Sequence, residues 1–182
     1  MPKKKYEHLI WVDLEMTGLN PRVHKILEIS TIITDKYLKI LDIGPNIIIF
    51  QKQKELKKMS SSVLGIHTRS KLINNIQNSH DDEASAEKKT LVFLKKWIPK
   101  NCSPMCGNTI STDRNFLIKY MPKLEKYFHY RNIDVSSIHE LAKRWFSNTM
   151  QHVRKKKEHR SQQDLIESIE ELKFYKKTIF SL

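Results

Sequence analysis

Glycine and cysteine are scarce in this chain of 182 residues, with four of the first and two of the second. So few glycines exclude a collagen-like chain, a glycine-rich linker and a glycine-rich phosphate cradle. Two cysteines cannot build a disulfide framework. Cys102 and Cys106, spaced C-x3-C, cannot by themselves complete a four-ligand zinc site. Both read as reduced thiols in or near the core. Long apolar runs are missing as well, since no stretch approaches the ~20 residues that cross a bilayer. Met1 to His8 carries three lysines with no apolar segment before Asp13, which excludes a secretory signal there. A cytoplasmic protein without membrane association is the expectation.

Acidic side chains are outnumbered, 20 against 33 Lys and Arg, for a formal charge of +13. Such a charge either coats a solvated surface or attracts a polyanion, most simply nucleic acid. An acidic membrane is the weaker partner, because no basic amphipathic helix stands out. With 39% hydrophobic residues the chain can fill one ordinary core, and its length predicts one domain over residues 1–182.

His8 to Leu14 is a short β-rich run. It ends at Thr17-Gly18-Leu19-Asn20-Pro21, a strong turn signal. Ile26 to Thr34, Tyr37 to Ile43 and Ile47 to Phe50 read as further strands joined by short turns, hence an antiparallel meander. Gln51 to Lys58 reads as loop. Residues 85–98 predict a helix with Ala86, Thr90, Phe93, Leu94 and Trp97 on one face, ended by Pro99. Short strands are predicted over residues 103–107 and 130–135. Helices are predicted from about Asp113, behind Ser137, and from near Ser161, the last burying Leu165, Ile166, Ile169 and Leu172. Residues 147–159 are polar, basic and aperiodic, and read as loop. Strands first, then helices alternating with short strands, argue for an α/β fold with a mixed sheet.

Asp13 and Glu15 stand in the first apolar run. At i and i+2 of a strand they share one face, with Cα atoms about 6.6 Å apart. Two carboxylates flanked by Val12 and Leu14 are costly unless they are paired or hold a cation. Hard divalent ions take oxygen ligands, and two such ions ~3.5–4 Å apart serve in-line displacement at phosphorus. The plainer alternative is an edge strand with solvated acids. Asp113 precedes an apolar helical stripe, where Asp also serves as an N-cap. Ser161-x-x-Asp164 and Ser137-x-x-Glu140 both fit a capping box. His159 stands five residues before Asp164. Five residues turn a helix through about 500°, so the two act together only if His159 lies outside the helix. A loop histidine with an ordinary pKa of about 6.5 suits a general base near neutral pH.

In chain order these residues are Asp-x-Glu, a mid-chain Asp and His-x4-Asp. Longer runs accompany them: Leu9-Ile-Trp-Val-Asp-Leu-Glu-Met-Thr-Gly-Leu19, Cys106-Gly-Asn108, Lys119-Tyr-Met-Pro122, Tyr127-Phe-His-Tyr-Arg131, Asp134-Val-Ser136 and Glu140-Leu-Ala-x-Arg-Trp145. Over almost its whole length the chain resembles the DEDD-type 3′→5′ exonucleases, in the subclass with a histidine base. The resemblance implies a ribonuclease H-like fold, a mixed five-stranded sheet flanked by α-helices. It implies that Asp13, Glu15, Asp113 and Asp164 bind two Mg²⁺ or Mn²⁺ ions and that His159 is the general base. Within the superfamily it points to the branch that degrades short single-stranded RNA, down to dinucleotides, to 5′ mononucleotides as a homodimer. Leu19 would wedge against the bases. Thr109, Arg131, Ser136 and Ser137 would surround the substrate's 5′ phosphate, and Tyr130 would reach across a dimer interface. His67 would lie near the active site, although by itself it reads as a solvated loop histidine. No other protein partner is implied.

Five residues before His67, where the family usually carries a tryptophan, this chain has Ser62. A stacking contact of about 1–3 kcal/mol per base is thereby missing. Gln163 stands where a further acid is common, while Thr109 and Ser137 keep hydroxyls. Two rival functions are distinct: the same chemistry on longer RNA or DNA, and a basic nucleic-acid-binding protein without catalysis, which predicts no divalent-ion binding. The basic run at residues 154–157 either is solvated or contacts RNA beside His159.

Overall fold

Strand β1 (Leu9–Met16) pairs antiparallel with β2 (Ile26–Thr34) along almost its whole length, from Leu9 opposite Thr34 to Met16 opposite Ile26. This ladder is the centre of a computed structural model that describes residues 7–146 and 160–180. β3 (Ile40–Ile43) adds to β2 antiparallel, β5 (Met105–Gly107) to β1 parallel, and β6 (Asn132–Asp134) to β5 parallel. The order is β3-β2-β1-β5-β6, a mixed sheet as the α/β reading predicts. A sixth strand, β4 (Ile47–Ile48), has only two residues and returns to β2, so the meander covers β1 to β3. Gly107 lets β5 close on β1, because a Cβ there would lie 2.8 Å from the Val12 carbonyl oxygen.

Eight helices surround the sheet among the described residues: α1 (Gln53–Leu56), α2 (Ser61–Arg69), α3 (Leu72–Ile76), α4 (Glu83–Trp97), α5 (Ile110–Tyr120), α6 (Pro122–Glu125), α7 (Val135–Trp145) and α8 (Ser161–Thr178). The segment read as loop at Gln51 to Lys58 contains α1, a single turn that buries only Leu56 and so leaves no apolar repeat. Two helix starts, those of α5 and α7, differ from the sequence reading, and at the third, α8, the start agrees but the cap does not. α5 begins at Ile110, which puts Asp113 inside the first turn rather than at the cap. α7 begins at Val135, with Asp134 as N-cap accepting the Ser136 N–H at 3.0 Å, so Ser137 and Glu140 form no capping box. α8 begins at Ser161 with Arg160 at the N-cap position, so Ser161 does not cap it either. A cap needs extended backbone just before the helix, and both serines are already helical.

Alternation along β1 sends Ile10, Val12 and Leu14 into a core with Phe93 of α4, Phe116 and Leu117 of α5 and Leu124 of α6. Trp11 goes to the opposite face, against Ala142 of α7 and Leu165, Ile169, Leu172 and Tyr175 of α8. β2 is buried through all nine residues, because helices cover both faces, and its sequence accordingly shows isoleucines without alternation. Burying one such side chain contributes roughly 1.5–3 kcal/mol. Asp13 and Glu15 share the Trp11 face, so they point toward α8 where apolar residues would pack better. Packing therefore does not explain them.

Candidate active site

The parallel strands β1, β5 and β6 run toward one edge, where ligands of open α/β sheets gather. Asp13 and Glu15 come from the second half of β1, Asp113 from the first turn of α5 just past β5, and Asp164 from the first turn of α8. Asp13, Glu15 and Asp164 each bring a carboxylate oxygen within 4.8 Å of the others. Asp113 approaches from the α5 side. Its Oδ1 accepts the Leu14 backbone N–H at 3.0 Å, between the two β1 acids. All four sequence-predicted acids thus converge, and the alternative of solvated strand acids and a plain N-cap is set aside. Asp113 is buried and Glu15 is 9% exposed.

The electrostatics match. Burial holds the Asp13 carboxyl well above the usual range, reinforced by Asp113, Glu15, Asp164 and Glu28. Glu15 is pushed up to about 8, first by burial and then by Asp164, Glu28 and Asp113, with Arg160 opposing. Burial raises Asp113 too, against the hydrogen bond from Leu14. Crowded carboxylates of this kind either take up protons or hold cations, and an all-oxygen donor set suits a hard divalent ion.

Beside the acids, the β5–α5 turn builds a polar cup. Thr109 adopts a left-handed backbone, φ 51°, which costs a β-branched residue about 1–3 kcal/mol. The surroundings hold it there. Its N–H lies 2.9 Å from both Asp134 Oδ1 and Ser136 Oγ, and its hydroxyl meets Ser136 Oγ at 3.0 Å. Ser136 donates to Asn108 Oδ1 at 3.0 Å, and Asn108 Nδ2 donates to Ser168 Oγ of α8 at 2.6 Å. Ser168 in turn donates to the Asp164 carbonyl at 2.8 Å. The cup is thereby linked to the helix that carries an acid.

The other predicted residues spread out. His67 is not a solvated loop residue. It lies in α2 at 3% exposure, Nε2 is 2.9 Å from the Met16 carbonyl, and Nδ1 faces Glu15 Oε2 at 3.7 Å. Because a carbonyl only accepts, Nε2 carries a proton and Nδ1 is turned to the acids. Leu19 stands 77% exposed at the tip of the turn after β1. Below it a cavity of about 510 Å³ runs between that turn and Met59, Ser60 and Val63. Ser62 is exposed close by, its Oγ 2.9 Å from Ser60 Oγ. Ser137 is exposed beside Ser136. Tyr130 and Arg131 sit at the opposite end of β6 from Ser136, with the guanidinium 5.4 Å from the Tyr130 ring centre. No hydrogen bond joins Arg131 to the cup. His159 and the basic run at 154–157 lie outside the described residues.

Sequence reasoning passed over Ser168, and it met Asn108 and Asp134 only inside family-matching runs and Glu28 only inside a strand, giving none of them a role. Glu28 had a readable signal: a carboxylate inside an unbroken apolar strand must have partners. The roles of the other three had no local signal of that kind, since they depend on which loops meet.

Solved structures of similar shape include exonucleases. Exonuclease I of E. coli, in a zinc-bound complex with single-stranded DNA, superposes with a TM-score of 0.74 at 12% identity, covering 96% of this chain and 41% of that one. Exonuclease I of Methylocaldum szegediense gives 0.67 at 13%, covering 96% and 41%. This chain spans about two-fifths of those enzymes. Taken with an exonuclease family match over residues 10–172, this fold and acid group are those of a nuclease that works with divalent metal ions.

A family model described as exonuclease (RNase_T) matches residues 10–172. The chain belongs to that exonuclease family and, within it, to the oligoribonucleases. It is 60% identical over 150 residues to the oligoribonuclease of Buchnera aphidicola subsp. Baizongia pistaciae, covering 82% of this chain and 94% of that protein. It is 50% identical over 176 residues to that of Aliivibrio fischeri, covering 97% of each. It is 51% identical over 176 residues to that of Wigglesworthia glossinidia brevipalpis, covering 97% and 95%.

Proposed function

We propose that this protein, acting as one exonuclease domain over residues 1–182, is a 3′→5′ exoribonuclease that removes 5′ mononucleotides from short single-stranded RNA, down to dinucleotides. The convergence of Asp13, Glu15 and Asp164 within 4.8 Å, with Asp113 bonded between the β1 acids, carries the reading. These four side chains would hold a pair of Mg²⁺ or Mn²⁺ ions, which supply an acidified water and charge neutralisation at the phosphodiester. His159 would take the proton of the attacking water. The water oxygen bonds to phosphorus as the bond to the 3′ oxygen breaks, and that oxygen leaves with a proton. His67 would orient Glu15, Leu19 would wedge against the bases, and Thr109, Ser136 and Ser137 would receive the 5′ phosphate, whereas Arg131, at the other end of β6, lies apart from that cup.

Tyr130 and Trp145, 73% and 68% exposed, with Leu141, offer apolar surface. This supports a homodimer in which Tyr130 reaches the partner's site. Among the described residues no helix is long and apolar enough to cross a membrane.

The test offers a labelled dinucleotide and a longer RNA in parallel, with Mn²⁺. Complete conversion of the dinucleotide to mononucleotides is expected. Degradation of the longer RNA alone would overturn the short-substrate reading and leave a trimming or proofreading type of enzyme. His159→Ala should cost about 10²–10⁴-fold in kcat, the usual range for a general base.

A further inference from the structure

β2 supplies none of the four clustered acids, yet it carries a carboxylate, Glu28, with 0% exposure. Glu28 is the Cα partner of Glu15 and Ser30 that of Asp13, so these side chains share the face beneath α8. A buried carboxylate persists only when its oxygens are occupied. Arg160 Nη2 donates to Glu28 Oε1 at 2.6 Å, and Arg160 Nε lies 3.1 and 3.2 Å from Oε1 and Oε2. Asn46 Nδ2 adds a bond at 3.1 Å. The remaining donor is the backbone N–H of Ser161, 3.1 Å from Oε2.

Ser161 is the first residue of α8, and that helix has no side-chain cap of its own. Glu28 supplies the acceptor that a cap would supply, from 133 residues away. Ser161 Oγ also meets Ser30 Oγ at 2.7 Å, two positions further along the same face of β2. The first turn of α8 is therefore fixed to β2 at two points. Asp164 lies in that turn, its N–H donating to the Arg160 carbonyl at 3.0 Å. His159 is the residue bonded directly before Arg160.

We propose that Glu28 and Arg160 form a positioning pair: Glu28, acting through the Arg160 guanidinium and the Ser161 N–H, sets the height and rotation of α8 over β1 and so places Asp164 against Asp13 and Glu15. The pair acts through the position of α8 and is given no part in the chemical step. The proposal rests on the reading of these acids as cation ligands. Removing an outer-shell partner of this kind typically costs 10–100-fold in metal affinity or activity.

The test uses the metal-free full chain and four variants: Glu28→Gln, Arg160→Gln, the double variant, and Arg160→Lys. Mn²⁺ affinity is measured calorimetrically, amide hydrogen exchange is read at 161–164, and kcat and KM are measured on a dinucleotide. Glu28→Gln and Arg160→Gln should each weaken Mn²⁺ binding and lower kcat about 10–100-fold. KM should stay near wild type, and exchange over 161–164 should rise. The double variant should be no worse than the worse single one, because the residues act as a unit. Arg160→Lys should recover part of the loss.

Glu87→Gln serves as the control. That buried acid accepts the Lys123 and Leu124 N–H groups at the start of α6, on the far face of the sheet. It should lower the melting temperature and leave Mn²⁺ affinity unchanged. Wild-type affinity and kcat in folded Glu28→Gln would overturn the proposal. So would an equal loss in Glu87→Gln, which would make the effect one of general stability. Absence of Mn²⁺ binding in the wild type would instead remove the cation-ligand reading, and the proposal with it.

Discussion

Asp113 Oδ1 accepts the backbone N–H of Leu14 at 3.0 Å, joining residues 99 apart in the chain. One oxygen of this carboxylate thereby locks α5 to β1, while the group as a whole adds its charge to the pocket. The two roles are separable. Asp113→Asn can keep the bond through its amide oxygen and loses only the charge. It should retain the wild-type melting temperature within a few degrees and lose more than about 100-fold in activity, beyond the cost of an outer partner. Asp113→Ala should lose activity and also about 1–3 kcal/mol of stability, because it orphans a buried N–H. Thermal melting beside dinucleotide turnover distinguishes them.

The raised carboxyls make stability depend on pH in a stated direction. Glu15 titrates at about 8 in the folded protein against an ordinary 4.5. Between those values the folded state binds more protons than the unfolded chain, so metal-free stability falls as pH rises through that window. A divalent cation displaces those protons, and its stabilising effect grows with pH. The melting temperature of metal-free protein should fall from about pH 6 to about pH 8, and Mn²⁺ should raise it more at the higher pH. Equal Mn²⁺ shifts at both would contradict the raised carboxyls.

Thr109 is held in a left-handed conformation that glycine adopts freely. Thr109→Gly relieves that strain and deletes the hydroxyl bonded to Ser136 at 3.0 Å. Stability should stay within about 1 kcal/mol of wild type or exceed it. KM for a 5′-phosphorylated dinucleotide should rise, with a smaller change for the same dinucleotide bearing a 5′ hydroxyl. An unchanged KM would separate the cup from phosphate binding.

Ser62 is exposed near the cavity beneath Leu19. Ser62→Trp places an aromatic face there and should tighten substrate binding by about 1–3 kcal/mol, the usual value of one stacked base. KM on dinucleotides should drop with kcat unchanged. A KM no lower than that of wild type would show that Met59 and Val63 already supply the contact.

Much of the acid group was legible because it obeys local rules. Two acids at i and i+2 inside an apolar strand announce a shared face, and that holds in any fold that keeps the strand. Asp113 and Asp164 were legible only with the ordered set around them, since each alone imitates a helix cap. The caps themselves misread at Ser137 and Ser161, where the true helix starts were fixed by Asp134 and by Glu28 on another strand. His67 misread for the same reason: nothing near it in the sequence says that α2 would press it against Met16 and Glu15.

The sequence by itself determined the elements and the chemistry on offer. Periodicity set the longer strands and helices but not the short ones such as α1, composition gave an excess of basic over acidic residues, and spacing put Asp13 and Glu15 side by side. Tertiary structure alone decided what those groups meet. It turned Asp113 inward to Leu14, brought Glu28 under the start of α8, and joined Asn108 to Ser168. Periodicity is a property of neighbours along the chain. Desolvation and hydrogen bonding between distant residues exist only once the sheet and its helices have closed over them.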